Sequence, residues 1–473
     1  MRRIVSVLVP FCCVLAAACS SASPAASRPT SQVQRDTATT SSPASPSSSS
    51  SSSPRAAGRF TPWSTYHRTA TRTGHTGHPP GTPLKPAWSK KLGGAVYGEP
   101  LVVGSTLIVA TESDRVFGLN ARTGRIRWQQ RLGTPQPLSG LPCGDIDPLG
   151  ITGTPAYDAR TGSVFAVAET VGGHHTLWAL DATNGHRRWH RTLDVLPSRN
   201  RSAEQERSAV LVEHGRVLVS FGGLAGDCDN YVGYVTSTST DGTGKTYHYA
   251  VPTAREAGMW ATPGPVLGRN GHVYVASGNG AELNGRWDKS DSVTELSTTR
   301  LHRLSVFAPG TWRDDNARDL DLGSMSPMSV PAVHRIVIAG KRGVVYLLRE
   351  HLGGVASAVA GLDGCSAFGG GARVGRTVLM PCLFQDQIRA LRVGRHHLRW
   401  SWSAGNVYGA PVIAGKRVYV TDRDSGDLVV LRLSTGHVVQ RIHAGAVSHF
   451  PSEVVDGGYV FVPTLTGITA FRG

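Results

Sequence analysis

From about residue 84 to the end, the chain repeats short apolar runs broken by Gly, Pro, Asp, Asn and Thr. The clearest copy is Leu101-Val102-Val103-Gly104-Ser105-Thr106-Leu107-Ile108-Val109-Ala110, followed by Val116-Phe117-Gly118-Leu119-Asn120-Ala121-Arg122-Thr123-Gly124. Each run is too short for a helix, is rich in β-branched and aromatic residues, and is bounded by turn formers, so it predicts antiparallel strands.

The turns recur at a fixed offset. Leu119 to Gly124, Leu180 to Gly185 and Leu431 to Gly436 have the same spacing, and four residues further on stand Trp128, Trp189 and Gln440. The glycine supplies the positive φ of a hairpin, and the indole is placed to cap the space between neighbouring sheets. Trp88 and Trp400 look like the same element without a complete turn. A second pattern, a small or aromatic residue followed by proline, precedes the strands: Tyr97 to Pro100, Thr152 to Pro155, Trp260 to Pro263, Met325 to Pro327, Tyr408 to Pro411 and His449 to Pro451. With weaker units near Arg207 and Phe368 there are eight starts, or about 49 residues per unit, close to one four-stranded propeller blade. The expected fold is therefore all-β, an eight-bladed β-propeller of four-stranded antiparallel blades occupying residues 59–473. The last unit lacks its outer strand and the segment around Trp88 is a spare one, so N- and C-terminal strands are expected to complete one blade together.

The N-terminus has a different character. Met1-Arg2-Arg3, the apolar run Ile4 to Ala18 and the small residues before Cys19 predict a signal peptide over residues 1–18. Leu15-Ala16-Ala17-Ala18-Cys19 resembles a lipoprotein signal with lipidation on Cys19, with Cys12 and Cys13 as competing cysteines and an ordinary cleavable signal as the alternative. Residues 19–58, almost all Ser, Thr, Pro and Ala, predict a disordered tether because they cannot bury enough apolar surface to offset their ordering entropy. The expected location is extracytoplasmic, anchored to the membrane by lipid, or secreted if the lipoprotein signal is not used.

Composition adds two constraints. Lys and Arg exceed Asp and Glu by 49 to 33, a formal charge of +16. The basic residues are scattered and no nucleic-acid motif accompanies them, so anionic lipid or wall polymer is a better partner than nucleic acid. Leaving aside the signal region, the cysteines are Cys143, Cys228, Cys365 and Cys382. An even number in an exported chain predicts disulfides. Of three pairings, Cys143 with Cys228 and Cys365 with Cys382 is preferred, because the second closes a short loop and the first joins adjacent repeats.

The Leu-x-Ala-x-Thr-Gly turn followed by Trp resembles the repeat of the pyrroloquinoline-quinone-type (PQQ-like) β-propellers, a superfamily that includes quinoprotein alcohol dehydrogenases and BamB lipoproteins. The chain also looks like secreted actinobacterial members, which share Trp63-x-x-Tyr66-His67, Arg72-Thr73-Gly74, Cys143-Gly144-Asp145-Ile146-Asp147-Pro148, Gly226-Asp227-Cys228, Ser277-Gly278-Asn279-Gly280, Ser290-Asp291-Ser292-Val293 and Asp319-Leu320-Asp321-Leu322-Gly323. The resemblance implies eight blades and an extracytoplasmic setting, and it assigns no activity.

In quinoprotein dehydrogenases the quinone lies beside a vicinal disulfide and a calcium ion, with a catalytic Asp in the axial funnel. The only adjacent cysteines in this chain are Cys12 and Cys13 of the signal segment. Asp291 as base, with Asn279 and Glu282 as metal oxygens, is set against the simpler role of capping turns in blade four. Asp145, Asp147, Asp227 and Asp229 would gather around a Cys143–Cys228 bridge and bind calcium or pair with arginine. His186, His190, His396 and His397 lie beside hairpins and are expected to face solvent. A ligand site, if there is one, belongs at the axial mouth, where the segments opening each blade converge: Tyr97, Glu99, Thr152, Arg207, Trp260, Met325, Phe368, Tyr408 and His449. The expected function is a non-catalytic binding or protein-interaction scaffold in the cell envelope, acting as a monomer. The alternative is a dehydrogenase or sensor that uses PQQ and calcium.

Overall fold

In the chain's computed structural model, residues 58–473 are described. The signal segment, Cys12, Cys13, Cys19 and the tether up to residue 57 lie outside the described residues. Eight sheets follow one another along the chain, with innermost strands Leu101–Val103, Ala156–Asp158, Leu211–Glu213, Val266–Leu267, Met328–Val330, Ala372–Val374, Val412–Ala414 and Val454–Asp456. Each blade is built on four antiparallel strands in meander order. Three blades carry a fifth strand, as where Gly353–Val355 pairs parallel with Arg303–Ala308 of blade four, and the eight together form the expected eight-bladed β-propeller.

Burial explains the sequence pattern. Inner strands are covered on both faces by neighbouring blades and read as continuous apolar runs, as in the wholly buried Tyr459–Thr464. Outer strands alternate, and Arg187–Thr192 and Val438–His443 are mostly exposed. The ring closes as expected, because Lys85–Lys91 pairs antiparallel with Gly467–Arg472 in the eighth sheet. This removes the open edge that an unclosed ring would present.

The tryptophans join the blades. Gly185 has φ +75°, and a Cβ there would collide with the ring of Trp128 on the preceding blade. Trp88 sits in the same way on Gly124, and Trp189 on Gly242. Where the sequence has Gln440, the amide bonds both backbone groups of Leu84, at 2.9 and 2.8 Å. In blade six the docking indole is Trp402, not Trp400: Trp402 covers Gly436 and donates to Leu433 O at 2.9 Å, whereas Trp400 donates back to Asp363 O. The hairpin before it is two residues longer: Leu391 pairs with Trp400, nine residues on, whereas Leu119 pairs with Ile126 and Leu431 with Val438, seven residues on, so the docking position moves by two.

Both preferred disulfides are present, Cys143–Cys228 and Cys365–Cys382. Because each blade is a meander, the turns after its first and third strands lie on one face of the ring, the base. The turns after its second strand, and the segments between blades, lie on the opposite face, at the mouth. Both disulfides brace mouth-side loops.

Candidate functional site

The axis of the ring is filled by the chain itself. Residues 61–76 pass along the inner strands and bond to seven of the eight blades. Thr61 N donates to Asp456 at 2.8 Å, and Trp63 exchanges two backbone bonds with Val102. Tyr157 N donates to Ser64 O, Thr65 Oγ1 to Val210 O, Leu267 N to Ala70 O, Arg373 N to Thr73 O and Ile413 N to Gly74 O, all between 2.7 and 3.0 Å. His75–Thr76 then adds a short parallel strand to blade seven. The turns in this plug put His67, Arg68 and Arg72 at positive φ. Trp63, Tyr66, His67 and Arg72 are all buried.

Glu99 ties the plug to the mouth. It accepts from the Trp63 indole, from His67 N at 2.8 Å and from the Ser452 hydroxyl. Burial pushes its carboxyl up to about 8 against the pull of those three donors. Burial also lowers His67 to about 3, so its imidazole is neutral, and its Nδ1 donates to Gly371 O at 2.9 Å. Arg72 is pulled down by burial to about 10 and stays cationic, with Glu99 supporting its charge.

Of the expected mouth residues, Tyr97, Thr152, Arg207 and His449 surround one small cavity, together with Phe450 and with Tyr66 as its floor. That cavity offers about 10 Å³ to water, room for about one molecule. Burial raises the Tyr97 hydroxyl to about 12. Trp260 stands beside it, half-buried, with its ring 6.2 Å from Phe368 and 6.0 Å from Phe450. Met325 and Tyr408 are buried in the ring wall, and Glu99 faces the plug. The turn pattern did not single out Phe450 or Phe384, nor the Asp321 carboxylate that accepts from Trp260 at 3.2 Å and meets Lys341 at 2.9 Å. Asp321 lay within a motif of the family resemblance, the only signal that marked it.

The four carboxylates near the first disulfide do not converge on a common point. Asp145 meets His449 at 3.2 Å and Arg207 at 3.4 Å, and the His449 hydrogen bond, opposed by partial burial and aided by Arg207, holds it below the usual carboxylate range. Asp147 accepts from Leu138 N, Asp227 from the Tyr231 hydroxyl, and Asp229 from Asn200. Among the described residues no three His, Cys, Asp or Glu side chains are grouped to hold a metal. Asp291 accepts from Leu322 N at 2.9 Å, Asn279 bonds Asp321 through its backbone, and Glu282 closes its own turn through Asn284 N. These three hold loops in place. His186, His190, His396 and His397 are exposed.

A three-ring quinone needs a cavity several tens of times larger than this one, since ligand pockets run to about 300–1,000 Å³. Tyr66 and His67 occupy that depth of the funnel, and Glu99, Asp145 and Asp321 are already partnered. As folded, the mouth residues do not fit a quinone with its calcium ion.

Comparison with known proteins bears on the class. Residues 84–302 match the model of the family described as outer membrane protein assembly factor BamB. No curated protein matches significantly. Among solved structures, the chain is similar to quinohemoprotein alcohol dehydrogenase from Comamonas testosteroni, with 17% identity, 87% of this chain and 80% of that one covered, and a TM-score of 0.69. It is also similar to a europium-containing methanol dehydrogenase, with 14% identity, 88% and 98% covered, and a TM-score of 0.65. BamB from Moraxella catarrhalis gives 17% identity, 83% and 100% covered, and a TM-score of 0.58. The chain is an eight-bladed β-propeller, a fold it shares with those dehydrogenases and with BamB.

Proposed function

We propose that this protein is an exported, lipid-anchored scaffold of the cell envelope whose mouth face docks another protein, and that it is not a quinone-dependent dehydrogenase. The observation that carries this reading is the plug: residues 61–76 fill the axis where a dehydrogenase would need an open funnel. The mouth face also presents apolar side chains to solvent on turns of four blades, Val171, Leu283, Phe384 and Leu465, and Phe384 is 66% exposed. Exposed aromatics beside an Arg–aromatic contact, such as Arg207 over Phe450, match the composition of protein-binding hot spots. The signal-like N-terminus and Cys19 support the location, and a long tether would let the ring reach partners near the membrane.

Calorimetric titration of residues 58–473 with PQQ, with and without calcium, tests this reading. No saturable heat is expected. Calcium-dependent saturation that is lost in Trp260→Ala would overturn the scaffold in favour of the dehydrogenase.

A further inference from the structure

A wider cavity lies away from the axis. It is a groove on the base, between blades six and seven, with a volume of about 700 Å³. Its rim carries Arg392, Lys416, Arg417 and Arg432, and no acidic residue lines it. Among the described residues none of these four cations meets an acidic partner, and Arg392 bonds there to the Thr377 hydroxyl alone, at 2.7 Å. The floor is apolar, made by Trp402, Leu433 and the exposed Val439.

Charge on these two blades is sorted by face. The base turns and their flanks, residues 372–377, 392–399, 412–417 and 432–438, contain Arg373, Arg376, Arg395 and Arg399 in addition to the rim cations, and no Asp or Glu. The acids of the same blades, Asp386, Asp422, Asp424 and Asp427, stand at the mouth end. Like charges held together repel one another, so an unpaired cluster of this kind is stabilised by an anion. The described chain also starts on this face: Gly58 lies against the Gly457 turn, and its carbonyl accepts from Arg122 at 3.0 Å.

We propose that this groove binds the phosphate headgroup of an anionic phospholipid, with the glycerol and upper acyl carbons lying on Trp402, Leu433 and Val439. The phosphodiester meets the guanidinium groups, and the apolar floor accommodates the part of the lipid that a free phosphate lacks. The base then faces the bilayer, and the mouth is turned away from it toward soluble partners. This site is formed by the ring alone and does not depend on an anchor at Cys19.

All eight sheets, both disulfides and the plug lie within residues 58–473, so that segment is a complete folding unit for a binding experiment without the N-terminal apolar run. The experiment is co-sedimentation with vesicles of phosphatidylglycerol in phosphatidylcholine, compared with phosphatidylcholine alone, at low and high salt. Binding only to the anionic vesicles, weakened by salt, is expected. Lys416→Gln with Arg432→Gln, both exposed positions, should weaken it about 30-fold, from roughly fivefold per cation near a membrane surface. The mouth-face pair Arg199→Gln with Arg201→Gln should leave it unchanged. Equal losses from both pairs would show that net charge rather than the groove is responsible, and would overturn the site. Saturable binding of glycerol phosphate in solution without vesicle binding would assign the groove to a free anion and overturn the lipid assignment.

Discussion

The axial mouth and the base groove handle charge in opposite ways. At the mouth, Glu99 takes three donors from the plug and from blade eight, Asp145 is shared by Arg207 and His449, and the space left admits one water. In the groove, four cations surround open volume with no counter-charge among the described residues. Buried polar groups that answer one another rigidify a structure, whereas unanswered charges at the surface are left available for a ligand. In this ring the place that fold likeness would mark as the site is filled by the chain itself, and the open place lies on the other face.

Three predictions test that contrast. The largest effect is expected for Trp63→Ala, which removes the plug's buried indole and leaves Glu99 without one donor. A loss of about 3–5 kcal/mol in denaturant unfolding is expected. A change below 1 kcal/mol would mean that the plug is only loosely seated and that the axis can open.

The second effect depends on pH. The Glu99 carboxyl rises from an ordinary 4.5 to about 8 on folding, so the folded state holds a proton that the unfolded state releases between those values. Stability from this group is complete below about 4.5 and is lost as pH rises through 8. Burial gives Glu112 and Asp114, each raised to about 8, the same sign. Glu99→Gln should therefore flatten the fall in stability across that window by about 1.4 kcal/mol per pH unit, followed as melting temperature against pH. An unchanged slope would mean that Glu99 stays ionised beside Arg72.

The smallest effect belongs to the groove. Lys416→Gln with Arg432→Gln should change stability by no more than about 0.5 kcal/mol in thermal melts, because these side chains hold nothing in the folded ring. A loss well above that would mean that the groove cations are structural, which would make the two regions alike.

Much of the architecture could be read from local spacing. The Leu119–Gly124 and Leu180–Gly185 turns, the indoles that follow them and the spare strand at Trp88 led to eight blades and to the shared closing sheet, because strand period and turn chemistry are local properties. The switch from Trp400 to Trp402 was not legible, since blade six lacks the Leu-to-Gly turn from which the docking position is counted and its hairpin is two residues longer. The site was partly legible. The segments before each inner strand do converge, and they bring Tyr97, Thr152, Arg207 and His449 together. Their expected ligand space is taken by Trp63 to Thr76, a stretch without the strand period, which the repeat reading treated only as a lead-in to the ring.

What the sequence determined by itself is therefore the repeated blade, the count of blades, the even set of body cysteines and the surplus of positive charge. Tertiary structure alone decided that residues 61–76 fill the axis, that the four aspartates part company, and that the cations of blades six and seven meet at one groove while their acids stand at the far end. The physical reason is that strand and turn preferences act between near neighbours, whereas a closed ring brings together side chains hundreds of residues apart, as in the contact of Thr61 with Asp456.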